Sequence, residues 1–200
     1  MSFISQKSQA IPRSAIREMF GMQVGLDNIV SFAMGEPDFK TPQHIVDAEI
    51  ASLKRGETHY TPNEGIMPLR EAISDSYRAR GLDYAPREIL ISPGAISALL
   101  LTAMVTLDIG DEVLVPDPGW ANYMGLIMQV GAKPIPVRVL EKNGFMYDVN
   151  ELRAAVTDRT KLILINSPSN PTGGVADAEN LRQIADLAKE KNLFVLTDEI

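Results

Sequence analysis

Asp198 stands at the end of an apolar run, Leu193 to Leu196, and is followed by Glu199. A carboxylate buried at a strand end needs a partner, because an uncompensated interior charge is costly. A cationic nitrogen on a ligand would be one such partner; a helix cap or a salt bridge would be the plainer ones. A second polar stretch, Asn166-Ser167-Pro168-Ser169-Asn170-Pro171-Thr172-Gly173-Gly174, follows the apolar run Leu162 to Ile165. Its two prolines, two glycines and two asparagines make a rigid, shaped turn, in which the Asn170 amide can donate and accept hydrogen bonds. The only tryptophan, Trp120, sits in Val115-Pro116-Asp117-Pro118-Gly119-Trp120, where its ring could stack on a flat ligand or simply pack in a core. In Ser92-Pro93-Gly94-Ala95-Ile96-Ser97 small residues join a predicted strand to a predicted helix. The unpaired amides at a helix start can hold a phosphate, and the plainer reading is a tight turn that uses Gly94. The loop has no lysine and no G-x-G-x-x-G, which disfavours a nucleoside triphosphate or a dinucleotide.

These residues need elements to bring them together. Residues 11 to 23 hold a possible short helix and Ile29 to Phe32 a short strand, leading into the turn Gly35-Glu36-Pro37-Asp38-Phe39. Thr41-Pro42 reads as an N-cap followed by proline at the first helical position, with Gly56 as the stop. From Ile66 apolar residues recur at Leu69, Ile73 and Tyr77, a helix ended by Gly81. Strands are then expected at Glu88–Ser92, Glu112–Val115, Lys133–Val139, Lys161–Ile165 and Leu193–Leu196. Helices are expected at Ala95–Leu107, buried on most sides, and at Trp120–Val130, Val149–Val156 and Ala178–Lys191. Alternating strands and helices, with strands rich in Ile, Leu and Val, predict an α/β fold: a mostly parallel central sheet covered on both faces. In such a sheet ligands lie beyond the carboxyl ends of the strands. The phosphate cradle, the ring, Asn170 and Asp198 all fall on that edge. Together they describe a site for a planar, phosphorylated, nitrogen-containing ring.

The 200 residues are enough for one cored domain or part of a larger one. An apolar content of 45% and a charged content of 22% are those of a soluble globular protein. The net charge of −7 is interleaved, which argues against a nucleic-acid or anionic-membrane surface. The absence of cysteine excludes disulfides, thiolate catalysis and cysteine metal sites. The N-terminus lacks an apolar core of signal-peptide length, and Ala95 to Leu107 is too short to span a bilayer. A cytoplasmic protein is expected. The chain stops at Ile200, directly after the Asp198 strand, so the front part of a longer protein is expected.

The motifs together resemble a known family. Gly35-Glu36-Pro37-Asp38-Phe39, Tyr60-Thr61-Pro62 with Gly65 and Leu69-Arg70, Gly94-Ala95 with Ala98-Leu99, Pro116-Asp117-Pro118-Gly119-Trp120, Asn166 to Gly173, and Asp198-Glu199-Ile200 occur in the order and spacing of the aspartate aminotransferase superfamily. These are the class I/II, fold type I enzymes that depend on pyridoxal phosphate, and the likeness covers their N-terminal half. It implies a three-layer sandwich, the large domain of a fold type I enzyme, truncated before its end. Residues 1–40 would form an N-terminal arm and the start of the small domain, and 41–200 the cofactor-binding large domain.

The resemblance also implies roles. The backbone amides of Ala95 and Ile96, after Gly94, would hold the cofactor phosphate. Trp120 would stack on the pyridine ring, Asn170 would bond its phenolic oxygen, and Asp198 would pair with its protonated nitrogen. Gly35 would line the substrate carboxylate pocket. Tyr60 would reach the phosphate in the partner subunit's site, which makes a homodimer the expected assembly. Asp117–Pro118 and Asn170–Pro171 match positions that are often cis. The Schiff-base lysine, a phosphate-binding arginine and the arginine that grips the substrate carboxylate lie beyond Ile200 in the family pattern. Ser52-Leu53-Lys54 imitates the lysine's setting but reads as solvent-facing on an early helix. No catalytic residue is therefore assigned, and the 200 residues alone are expected to be inactive. The expected parent moves an amino group from an amino acid to a 2-oxo acid. The alternatives are a carbon–sulfur lyase or a cyclopropane-carboxylate synthase on the same fold, and, in another class, a non-catalytic binding or scaffold protein.

Overall fold

A computed structural model describes residues 3–11, 19, 21–22, 25, 27–28, 30 and 35–200. Most of the expected helix over 11–23 and the strand over Ile29–Phe32 lie outside the described residues. The chain divides into two compact units, one of residues 1–33 with 99–200 and one of residues 34–98.

The first unit is built on a sheet whose strands are β1 (Glu112–Asp117), β2 (Lys133–Arg138), β3 (Thr160–Asn166) and β4 (Phe194–Asp198). They pair in the order β2-β1-β3-β4, every pair parallel. The central strands β1 and β3 are short runs of branched apolar residues because both of their faces are covered. Val113, Val115, Leu162 and Leu164 point into one cluster, and Leu114, Ile163 and Ile165 into the other. The first cluster is closed by helix α4 (Ala95–Thr106), through Leu99 and Ala103, and by α5 (Asn122–Gln129), through Tyr123, Leu126 and Ile127. The second is closed by α6 (Val149–Ala155), through Leu152, and by α7 (Ala178–Lys191), through Ile184, Leu187 and Ala188. This is the three-layer α/β sandwich expected from the pattern. Helix α7 starts on an Asp177 side chain that accepts from the Asn180 N–H, and ends on Asn192 in the left-handed region.

Chain direction reverses in the middle of the sheet. From β1 the chain crosses one face through α5 to β2, whereas β2-α6-β3 and β3-α7-β4 cross the other face in the opposite direction. The neighbours β1 and β3 thus send their outgoing loops apart, and a crevice opens beyond their carboxyl ends.

The second unit holds α2 (Gln43–Lys54), α3 (Met67–Arg78) and a 3-10 turn at Pro86–Glu88, besides the start of α4. The short helix Gln6–Ala10, α1, belongs to the first unit. Within the second unit Gly65 has φ +96°, and a side chain there would run into Ile91. The Ile91 N–H in turn donates to the Glu64 carbonyl at 3.0 Å.

Three expectations need correction. Residues 88–92 are not a strand: Glu88 belongs to the 3-10 turn, and Ile89, although extended, has no ladder partner among the described residues. Apolar extended backbone becomes a strand only when another strand takes up its hydrogen bonds. Helix α4 is not buried on most sides. Leu99 and Ala103 are buried, while Leu101, Met104 and Val105 are 45%, 61% and 80% exposed, because only one of its sides meets the sheet. The helix after Thr41 is capped at Pro42, one residue later than the pattern suggests, and has no side-chain cap bond.

Candidate active site

Alternation along β4 decides where Asp198 points. Leu196, two residues earlier, packs on the first cluster, so Asp198 faces the same side, towards α5. It is 7% exposed. From α5 the Tyr123 hydroxyl donates to Asp198 Oδ2 at 2.6 Å, within the range of a charge-assisted bond. Among the described residues this is the carboxylate's one hydrogen-bond donor, and no cation stands within salt-bridge distance. Burial, reinforced by the Asp198 bond and charge, holds the Tyr123 phenol well above its ordinary pKa of 10.0. It remains a protonated donor throughout the neutral range.

Trp120 lies one helical turn before Tyr123. Half-buried, it packs against the first cluster, with its ring edge-on to Tyr123 at 5.2 Å and 79°. It is therefore part of the core's rim as well as of the crevice. The bond Asp117–Pro118, just before it, is cis.

The turn after β3 is held by Asn166. Asn166 and Asp198 are register partners at the ends of β3 and β4. The Asn166 Nδ2 donates to the Asp198 carbonyl at 3.1 Å and to the Pro168 carbonyl at 3.4 Å, and its Oδ1 accepts from the Asn170 N–H at 2.7 Å. The Ser167 N–H adds a bond to the Asp198 carbonyl at 3.2 Å. The loop closes on itself through Ser169 N–H to Gly174 carbonyl at 2.8 Å and Gly173 N–H to Ser169 carbonyl at 2.7 Å. Gly174 is seated so closely that an added Cβ would stand 2.5 Å from the Gly144 carbonyl oxygen. Asn170–Pro171 is cis as expected, and Ser167–Pro168 is cis as well. The Asn170 side chain itself is exposed, and only its backbone is tied down.

The structure thus brings three of the expected residues to one edge: Asp198, Trp120 and the Asn170 turn, linked through Tyr123 and Asn166. Neither linker was assigned a role from sequence. The signal for Tyr123 was its helical spacing of three from Trp120. Asn166 lay within the stretch already chosen, at its hinge with the strand. Gly94, Ala95 and Ile96 are exposed at the start of α4, with Ser92 Oγ donating to the Gly94 carbonyl at 3.0 Å and Ser97 Oγ to the Pro93 carbonyl at 2.9 Å. The first amides of any helix have no intrahelical acceptor, so those of Ala95 and Ile96 are available donors. Tyr60 and Gly35, in the second unit, are exposed. Lys54, the imitation of the cofactor lysine, is exposed on α2 as expected.

A buried carboxylate with one neutral donor and a second oxygen to spare suits a ligand N–H that carries positive charge. The donor set therefore fits a protonated heterocycle lying against Trp120.

Known proteins share the sequence and fold of this chain. Residues 27–200 match the model of the family described as aminotransferase class I and II. The chain is 39% identical over 198 residues to an aspartate aminotransferase of Pyrococcus horikoshii, covering 98% of this chain and 51% of the relative. It is 43% identical over 176 residues to a probable aspartate/prephenate aminotransferase of Aquifex aeolicus, covering 88% of this chain and 44% of the relative. Among solved structures, an aspartate aminotransferase from Thermus thermophilus with maleate matches with a TM-score of 0.94 at 36% identity, over 100% of this chain and 54% of that one. The chain spans about half the length of the curated relatives it matches. On the family match over residues 27–200 and the shared fold, the chain belongs to the class I and II aminotransferases.

Proposed function

We propose that the chain is the N-terminal half of a pyridoxal-phosphate-dependent aminotransferase that moves an amino group from an amino acid to a 2-oxo acid. The observation that carries this reading is Asp198: a buried carboxylate at the end of β4, without a cationic partner among the described residues, on the same face of the sheet as a half-buried tryptophan. Pyridoxal phosphate, when bound, supplies an electron-withdrawing ring that takes up charge from the substrate. The work of this chain is to hold and polarise that ring. Asp198 pairs with the protonated ring nitrogen and keeps its proton in place. Trp120 lies against the ring face, and Asn170 bonds the phenolic oxygen. The amides of Ala95 and Ile96, with Gly94 leaving room, bind the phosphate at the head of α4.

Gly35 lining the substrate carboxylate pocket, Tyr60 reaching the partner subunit's phosphate site in a homodimer, and a cytoplasmic location belong to the same proposal. So does the division into an arm through residue 40 and a cofactor domain from 41. No helix among the described residues is long and apolar enough to cross a membrane. The relatives' names make aspartate and aromatic amino acids the first donors to assay.

The test is Asp198→Ala in the full-length protein. Turnover should fall on the order of 10²–10³-fold, as when a preorganised electrostatic contact is removed. Cofactor affinity should change by about tenfold or less, since the phosphate and ring-face contacts remain. Near-normal amino-group transfer by this variant, measured with a 2-oxo acid acceptor, would refute the assigned role. Release of ammonia and pyruvate without transfer by the unaltered protein would refute the aminotransferase reading itself.

A further inference from the structure

Two tyrosines are deeply buried in the first unit, and they satisfy their hydroxyls differently. Tyr147 donates to the Leu164 backbone carbonyl at 2.9 Å, the ordinary solution for a buried phenol. Tyr123, 2% exposed, instead spends its donor on the Asp198 carboxylate, 75 residues away in sequence. An aspartate with one oxygen held by a fixed phenol loses its side-chain freedom, and the second oxygen is then aimed by the first. The same phenol ring backs Trp120 edge-on. We propose that Tyr123 is a positioning residue for the cofactor ring: its hydroxyl locks one Asp198 oxygen and turns the other toward the ring nitrogen, while its ring sets the tilt of Trp120.

This rests on the reading of Asp198 given above. It adds that Tyr123, in the first turn of α5, sets both the plane of the bound ring and the direction of its nitrogen anchor. It also gives the phenol an electronic effect. A donor on Oδ2 draws charge from the carboxylate and moderates its pull on the ring proton. Because burial and Asp198 both keep the phenol protonated, the effect is constant and does not switch with pH.

The experiment compares Tyr123→Phe, Tyr123→3-fluorotyrosine and Asp198→Ala in the full-length, cofactor-loaded protein. It reads the visible absorption of the bound cofactor, the cofactor dissociation constant, and kcat and KM separately. Tyr123→Phe keeps the ring and its packing. It should lower kcat by about 10- to 100-fold, the effect of losing a hydrogen bond to a charged group, and leave KM within about threefold. In Tyr123→Phe the lost aim outweighs the charge returned to Asp198, so the cofactor band should move in the same direction as in Asp198→Ala. Fluorotyrosine keeps the shape but donates more strongly, drawing more charge from Asp198, so its band should also move in that direction; it decides the question if Tyr123→Phe fails to fold, and an unmoved band would then overturn the role given to Tyr123. An Asp198→Ala variant that is impaired beside a Tyr123→Phe variant with wild-type kcat and spectrum would leave Asp198 its role and overturn the one given to Tyr123. Wild-type behaviour of both would instead remove the reading of Asp198 on which this inference stands.

Discussion

Asn166 ties together more of the candidate site than Asp198 or Asn170 does. Its amide joins the backbone of Asp198 on β4 to the backbone of Asn170 in the turn, using donor and acceptor at once, and it is 7% exposed. Asn166→Ala would leave the Asn170 N–H without its acceptor and the Asp198 carbonyl without one donor. The expected loss is about 2–3 kcal/mol in urea-induced unfolding, the cost of orphaned polar groups in a buried position. Asn166→Asp keeps the acceptor and should recover the Asn170 anchor but not the bond to Asp198. An alanine variant as stable as the parent would show that the turn is held by its internal bonds alone. The sequence made Asn170 conspicuous because it sits between prolines, and it hid Asn166 at the end of a strand. The same holds for Tyr123: a residue whose partner lies 75 positions away leaves no local pattern beyond a helical spacing from Trp120.

At the scale of elements, β1 and β3 were legible because their apolar runs are almost wholly buried, whereas the outer strands β2 and β4 are only partly covered and were read from their place in the alternation. The segment 88–92 has the same composition and is not a strand, since pairing is a property of two segments and a sequence shows only one. What fixes the start of β1 was also out of sight. Glu112, 4% exposed, accepts from Thr157 Oγ1 at 2.6 Å and from Arg159 Nη2 at 2.8 Å and Nε at 3.1 Å, tying β1 to the turn that enters β3. The β1–β3 register slips at this point, between Glu112 and Val113. The Thr157 hydroxyl and the Arg159 guanidinium hold the Glu112 carboxyl below its ordinary value of 4.5. A depressed folded-state pKa gives stability that is present above the unfolded value and lost as pH falls through the folded one. Glu112→Gln should therefore lower stability by about 1–3 kcal/mol at neutral pH, from weakened bonds to a buried charged group. The gap from the parent should narrow once the pH drops below about 4.5. Thermal melts of both proteins from pH 7 to pH 3 measure this, and a gap independent of pH would mean that packing, not charge, holds the corner.

For the molecule as a whole, the two units differ in what stabilises them. Residues 99–200 contain every buried apolar side chain among the described residues, with Leu114, Leu152 and Ile163 at 0% exposure. Among the described residues of 34–98 only two are buried: Arg70, whose Nε donates to the Pro86 carbonyl at 2.9 Å, and Ser74, whose hydroxyl donates to the Tyr84 carbonyl at 2.6 Å. The apolar stripes that made α2 and α3 readable as helices stand open: Ile45, Ile50 and Leu53 are 50%, 43% and 58% exposed, and Ile66 and Leu69 are 46% and 42%. Helices of this length are marginal in water unless an apolar face is packed. Hydrogen exchange on the 200-residue chain should therefore be graded. Amides of α2 and α3 should exchange at least about 100-fold faster than those in the middle of β1 and β3, which open only with the whole unit. In the full-length protein proposed above, covering the stripes should slow α2 and α3 toward the strands while leaving β1 and β3 unchanged. Equal protection of all four elements in the 200-residue chain would show that two polar anchors suffice to hold the helices. Unchanged exchange of α2 and α3 in the longer protein would show that their apolar faces serve some other contact.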